Sequence, residues 1–211
     1  MATLIFDLDG TLVDVRARHY TVYADALREM GVQPLPEAVY WRRRRAGEGT
    51  FSIVGDLPGA LRARFSAAWL ERVEAPESLA LDRVYDGVAE TLAGLKGRHR
   101  LVLLTLRRRR QSLEEELGRT GLAAFFCEAI STSDGTQPAR KADLVRGIPR
   151  GDGAWVIGDS EGDIELAQDL GANCLCVTEG VRSAEFLRAR GARLLASSVR
   201  PLPGLLPDAL S

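Results

Sequence analysis

Apolar residues follow two rhythms along this chain. Thr3 to Phe6 and Leu101 to Thr105 are short, nearly continuous apolar runs, the pattern of strands covered on both faces. Between them the spacing becomes three-and-four. Tyr20, Tyr23, Ala24, Leu27 and Met30 predict a helix from Arg16 to Met30 that Gly31 stops. Leu61, Phe65, Ala68, Trp69 and Val73 predict a second helix, and Pro34, Pro36, Gly47, Gly49, Gly55, Pro58 and Gly59 break the chain between the two. Residues 15–83 therefore read as helices and loops without a strand. Beyond them, short strands at Ala129–Ser131, Trp155–Gly158 and Leu175–Thr178 alternate with helices at Ala89–Leu95, Ser112–Thr120, Lys141–Arg146, Asp163–Leu170 and Ala184–Arg190. Strands alternating with helices form βαβ units and a parallel sheet. Arg200–Ser211 holds three prolines and reads as a loosely packed tail.

The expected fold is α/β: a Rossmann-like parallel sheet from residues 1–14 and 84–211, interrupted by a helical insertion, residues 15–83. The insertion leaves the sheet just beyond the first strand, so it lies over the edge where that strand ends.

Composition narrows the function classes. The chain has 211 residues, 45% of them hydrophobic, enough to bury a core. Its 28 basic and 29 acidic side chains nearly cancel, which offers no general attraction to nucleic acid or to an anionic membrane. No run approaches the ~20 apolar residues of a membrane span, and the first residues do not resemble a secretory signal. The expectation is a soluble, cytoplasmic protein. Cys127, Cys174 and Cys176 lack CxxC spacing and a neighbouring His, and read as small core residues in a reducing compartment.

The polar residues at the strand ends carry the chemistry. Asp7 and Asp9 follow the first strand, although Asp is a poor strand former. Thr105 ends the second strand, Lys141 comes shortly after the third, and Asp159 and Asp163 follow the fourth. In an open parallel sheet these ends share one rim, where ligands bind. Crowded carboxylates need a cation. A donor set of oxygens without His or Cys suits Mg²⁺, which keeps waters and a substrate phosphate among its ligands.

These residues, in this order, resemble the haloacid dehalogenase-like hydrolase superfamily. Asp7-Leu8-Asp9-Gly10-Thr11 matches its DxDGT motif, and Gly158-Asp159-Ser160-Glu161-Gly162-Asp163 its GDxxxD motif. Thr105 and Lys141 match the hydroxyl and lysine motifs between them. The helical insertion resembles a C1 cap of the phosphoglycolate phosphatase and β-phosphoglucomutase kind. The resemblance implies that Asp7 attacks phosphorus to form an aspartyl-phosphate and that Asp9 acts as general acid and base. It implies that Mg²⁺ is held by Asp7, the backbone carbonyl of Asp9, and Asp159. Thr105 and Lys141 are expected on the phosphoryl oxygens, with Asp163 orienting Lys141 or a metal-bound water. Asp9 also separates the chain from the haloacid dehalogenases, which lack this second Asp. Two positions depart from the superfamily pattern: Leu106-Arg107 follows Thr105 where Asn is common, and Ala142 follows Lys141 where Pro is common.

Two arginine runs, Arg42–Arg45 and Arg107–Arg110, read mainly as solvated faces. Arg107 is the exception, lying two residues past Thr105. It, or one of Arg44 and Arg45, is expected to contact an acidic substrate. The segment Arg45–Phe51 is a candidate substrate loop whose glycines allow close approach. His19 and His99 have no partner spacing. The leading expectation is a Mg²⁺-dependent phosphatase of a small phosphorylated metabolite, with no nucleic-acid or membrane partner. A phosphomutase and a noncatalytic binding protein are the alternatives.

Overall fold

The protein is described by a computed structural model covering residues 1–132, 140–145, 147, 151 and 153–206. It opens with β1 (Thr3–Phe6) and the two-residue strand β2 (Val13–Asp14). Five helices follow: α1 (Arg16–Arg28), α2 (Glu37–Arg45), α3 (Thr50–Ile53), α4 (Gly59–Arg72) and α5 (Pro76–Leu79). The chain returns through β3 (Arg83–Val84), α6 (Val88–Leu95), β4 (Arg100–Leu104), α7 (Arg110–Thr120) and β5 (Glu128–Ile130). It ends with β6 (Ala154–Gly158), α8 (Glu161–Leu170), β7 (Asn173–Val177), α9 (Ala184–Ala189), β8 (Leu194–Ala196) and α10 (Leu202–Leu205).

Six strands form one sheet in the order β5-β4-β1-β6-β7-β8. Every neighbouring pair in it is parallel. Residues alternate between its faces. Leu4, Phe6, Leu101, Leu103, Trp155 and Ile157 join the larger apolar cluster, while Ile5, Val102, Leu104 and Val156 face the other way. There they pack with Leu166, Ala167 and Leu170 of α8. Burial on both faces explains the unbroken apolar runs of β1 and β4. No helix among the described residues is long and apolar enough to cross a membrane.

Strands β4, β1 and β6 lie side by side at the centre of the sheet. Their carboxyl ends deliver Thr105, Asp7 and Asp159 to one rim. The small antiparallel pair β2–β3 brackets the helical segment, with Val13 opposite Val84 and Asp14 opposite Arg83. The helices of that segment sit above the same rim.

Three expectations need correction. The stretch 15–83 is not wholly strandless, because Arg83 pairs with Asp14. That pairing depends on a partner some seventy residues away and leaves no periodic trace. The tail is packed: Leu202 and Leu206 are buried against the main core; residues 207–211 lie outside the described residues. The expected helix at 141–146 is a single 3₁₀ turn, Lys141–Leu144, and Arg146 lies outside the described residues. Helix α2 and strand β8 were not expected. In α2 only Tyr40 and Trp41 are buried and the last turn is all arginine, so the apolar stripe is too short to read. Cys174 and Cys176 share a side of β7, with their Sγ atoms 3.6 Å apart.

Candidate active site

Three carboxylates converge on the rim. One oxygen from each of Asp7, Asp159 and Asp163 lies within 4.8 Å of the others, and all three residues are buried. Lys141 Nζ closes the group, 2.7 Å from Asp7 Oδ1 and 2.7 Å from Asp163 Oδ1. Its own burial disfavours the ammonium, yet the charges of Asp163 and Asp7 outweigh that and raise its pKa.

Each carboxylate is aimed by its neighbours. Asp163 Oδ2 accepts the Ser160 backbone N–H at 3.1 Å and the Ser160 hydroxyl at 2.6 Å, a cap that starts α8. Asp159 Oδ2 accepts the Val181 N–H at 2.6 Å, and its Oδ1 accepts the Thr11 hydroxyl at 3.2 Å. Backbone crowds it from both sides. A Cβ on Gly180 would stand 2.2 Å from Asp159 Oδ2 and 2.4 Å from the Gly10 carbonyl oxygen. A Cβ on Gly158 would meet Asp163 Cγ at 2.0 Å. Gly158, which opens the GDxxxD motif, and Gly180, in the loop after β7, are thus space requirements of the carboxylate cluster.

Lys141 does not fully compensate the cluster. Burial, then Asp163, pushes the Asp159 carboxyl up to about 7. Burial also raises Asp7 well above the ordinary carboxyl range, against the pull of Lys141 and with the push of Asp163 and Asp159. At an effective dielectric near 20, two like charges about 5 Å apart repel by roughly 3 kcal/mol. An all-oxygen cluster with uncompensated charge fits a hard divalent cation such as Mg²⁺. Asp7, Asp159 and Asp163 each offer one oxygen that could hold such an ion.

Asp9 points into a different environment. Its Oδ1 accepts Arg18 Nη2 at 2.7 Å and Arg107 Nη2 at 2.6 Å, and its Oδ2 accepts Arg107 Nε at 3.0 Å. Burial favours the neutral acid, but the charges of Arg107 and Arg18 prevail and hold Asp9 well below the usual carboxylate range. The same guanidiniums reach further acids. Arg18 Nε donates to Asp82 Oδ1 at 2.9 Å, Arg107 Nη2 to Asp82 Oδ2 at 3.2 Å, and Arg107 Nη1 to Glu116 Oε2. Three carboxylates thus share two guanidiniums, and burial first, then the neighbouring acids, pushes Asp82 up to about 7.

Other expected residues fall in different places. Thr105 is buried and lines the cavity above Asp7, together with Asp9, Lys141 and Asp159. Arg107 borders that cavity too, but it is only 3% exposed and spends its guanidinium on Asp9, Asp82 and Glu116 rather than on open space. Arg45 does not line the cavity. It donates to the Gly180 carbonyl at 2.7 Å and the Thr178 carbonyl at 2.8 Å, so the chain itself satisfies it. Arg44, its neighbour, does line the cavity, as do Gly49, Thr50 and Phe51 of the candidate loop.

Residues that the sequence reading left aside complete the site. Arg18, Asp82 and Glu116 form the network around Asp9, and His19 and Trp69 wall the cavity. Burial, then the charge of Arg18, holds the His19 imidazole well below its ordinary pKa. Arg18 and Glu116 each sit in helices rich in exposed charge, so the sequence held no signal of their burial.

Known proteins resemble this chain in sequence and in fold. The sequence model of haloacid dehalogenase-like hydrolases matches residues 1–171. A phosphoglycolate phosphatase of Rhodobacter capsulatus is 30% identical over 193 residues, covering 85% of each chain. One from Synechococcus elongatus is 27% identical over 196 residues, covering 90% of this chain and 89% of the relative. Among solved structures, a haloacid dehalogenase-like family hydrolase from Streptococcus pneumoniae superposes with a TM-score of 0.78 at 21% identity, over 97% of both chains.

Proposed function

This chain belongs to the haloacid dehalogenase-like hydrolase family, and on that premise we propose that it is a Mg²⁺-dependent phosphatase of small phosphorylated metabolites, with Asp7 as nucleophile. The observation that carries the reading is the buried contact of Asp7 with Lys141, inside a carboxylate cluster at the ends of the central strands. The phosphatase names of the relatives point the same way.

Bound Mg²⁺, held by Asp7, the Asp9 backbone carbonyl and Asp159, would neutralise the substrate phosphate that an anionic nucleophile must approach. The remaining work falls to the chain. Asp7 attacks phosphorus and carries the phosphoryl group as an aspartyl-phosphate while the alcohol departs. Lys141 and Thr105 hold the phosphoryl oxygens as charge builds on them. Asp163 keeps Lys141 aimed at that position.

Asp9 serves as base in the second half of the reaction, taking a proton from the water that attacks the phosphoryl group. Arg18 and Arg107 keep Asp9 ionised and so ready to accept, but the same pairing weakens it as a base, so the ion pairs must loosen as the proton arrives. Donating a proton to the departing alcohol in the first half requires the same loosening beforehand. The helical segment acts as a cap over the site.

The test is phosphate release from p-nitrophenyl phosphate and from a panel of metabolite phosphates, 2-phosphoglycolate included, with and without Mg²⁺. Release that requires Mg²⁺ supports the reading. Failure of every ester overturns it.

A further inference from the structure

The cavity above Asp7 has a volume of about 600 Å³, within the range that encloses ligands of some twenty or thirty heavy atoms. Its upper wall is apolar. Among the described residues, the large hydrophobic side chains left exposed are Met1, Phe51, Leu106, Leu194 and Leu205. Two of these, Phe51 at 45% and Leu106 at 43%, line this one cavity. They reach it from different parts of the chain, Phe51 from α3 and Leu106 from the loop after β4. Trp69 and Val73 line it as well. The Phe51 ring leans edge-on against Phe65 and Trp69, at centroid distances of 6.3 Å and 6.5 Å, with much of its surface still bare. Exposed apolar side chains scattered singly need no explanation, but convergence on a functional cavity marks a binding surface.

The same cavity holds a guanidinium with spare donors. Arg44 Nη1 donates to the Glu48 carbonyl at 3.0 Å, and Nε is buried without a partner. Arg44 has no carboxylate within ion-pair distance among the described residues, unlike the other cavity arginines. Arg182 is tied to Glu161 at 2.7 Å, Arg18 to Asp9 and Asp82, and Arg107 to Asp9, Asp82 and Glu116. Burial disfavours the Arg44 charge, so an acceptor supplied from outside would relieve it.

The phosphate end of a substrate belongs at Lys141 and Thr105, which leaves Phe51, Leu106 and Arg44 for the alcohol. A two-carbon acid would leave the apolar wall in water. We infer that the preferred substrate is a phosphomonoester whose alcohol carries a planar ring with a hydrogen-bond acceptor. The ring lies against Phe51 and Leu106, and the acceptor meets Arg44. This inference rests on the phosphatase reading above.

The experiment compares kcat/KM of the full chain with Mg²⁺ for ethyl, benzyl and pyridylmethyl phosphates and for 2-phosphoglycolate. The first three share primary-alcohol leaving groups, so their differences report the pocket rather than leaving-group acidity. Benzyl phosphate should exceed ethyl phosphate by about tenfold or more, as expected for covering an aromatic ring. Pyridylmethyl phosphate should exceed benzyl phosphate. Phe51→Ala and Leu106→Ala should each shrink the benzyl-to-ethyl ratio several-fold, and both side chains are exposed enough to be removed without opening the core. Arg44→Gln should erase the advantage of pyridylmethyl over benzyl phosphate. A benzyl-to-ethyl ratio near one, a ratio untouched by Phe51→Ala and Leu106→Ala, or 2-phosphoglycolate outrunning benzyl phosphate overturns the inference while the phosphatase reading stands. Phosphate release from none of the esters, or release that persists in Asp7→Asn, overturns both.

Discussion

Replacing Arg107 by Gln tests the network that surrounds Asp9. In the folded protein this guanidinium contacts Asp9, Asp82 and Glu116, and both Asp82 and Glu116 are buried. Without it Arg18 alone faces Asp9 and Asp82, and Glu116 keeps only a distant contact with Arg119, at 3.8 Å. Removing one partner from a buried ionic group costs about 3–5 kcal/mol, because the remaining charge is left without compensation. For a chain of this size each kcal/mol moves the midpoint by about 2–4 °C, so Tm should fall by roughly 6–20 °C. The loss should depend on pH in a set direction. Asp82 already titrates near 7 in the folded state, well above its unfolded value near 4. Without Arg107 it shifts further up. Between those values the folded state holds a proton that the unfolded state has released, so stability rises as pH falls. Asp7 and Asp159 behave alike in both proteins and cancel in the comparison. Thermal unfolding of the wild type and Arg107→Gln at pH 8 and pH 5.5 gives the answer. The deficit should be large at pH 8 and clearly smaller at pH 5.5. An equal deficit at both values would mean that Arg107 contributes packing, and the charge argument would be wrong.

Other consequences follow from the same geometry. Mg²⁺ at about 100 times its dissociation constant should stabilise the wild type by roughly 2.7 kcal/mol, and Asp159→Asn should lose most of that shift in a thermal melt. Lys141→Arg should restore little of the activity lost in Lys141→Met, since a planar fork cannot replace a point charge between Asp7 and Asp163; steady-state rates decide this. Gly158→Ala should push Asp163 off Lys141 and lower kcat more than Gly153→Ala, where nothing lies within 4 Å of the new methyl.

The sheet was legible because its strands are buried on both faces, which writes continuous apolar runs into β1 and β4. Asp7 and Asp159 were legible because they stand at strand ends where ordinary strand chemistry has no use for them, whereas Asp163, in the first turn of α8, was legible only through the GDxxxD spacing, since a helix cap alone would account for it. The surroundings of Asp9 were not legible. Arg18 lies in a helix that begins Arg-Ala-Arg, and Arg107 stands first in a run of four arginines. Nothing local separates a buried arginine from a solvated one; the difference lies in partners such as Asp82 and Glu116, brought in from elsewhere in the chain. Arg45 shows the converse. It sits beside Arg44 in sequence, yet carbonyls after β7 claim it while Arg44 turns to the cavity. The neighbours of β3 and β8 were hidden for a related reason, since two- and three-residue strands are defined by their partners rather than by a period of their own.

The central claim is that Asp7 becomes phosphorylated during turnover. Rapid acid quench of the wild type in mid-turnover with Mg²⁺ and a phosphomonoester, followed by peptide mass spectrometry, tests it directly. The account predicts a phosphoryl group on the peptide containing Asp7, and neither phosphopeptide nor turnover in Asp7→Asn. Sustained phosphate release from Asp7→Asn, or a phosphoryl group trapped on a different residue, would contradict it.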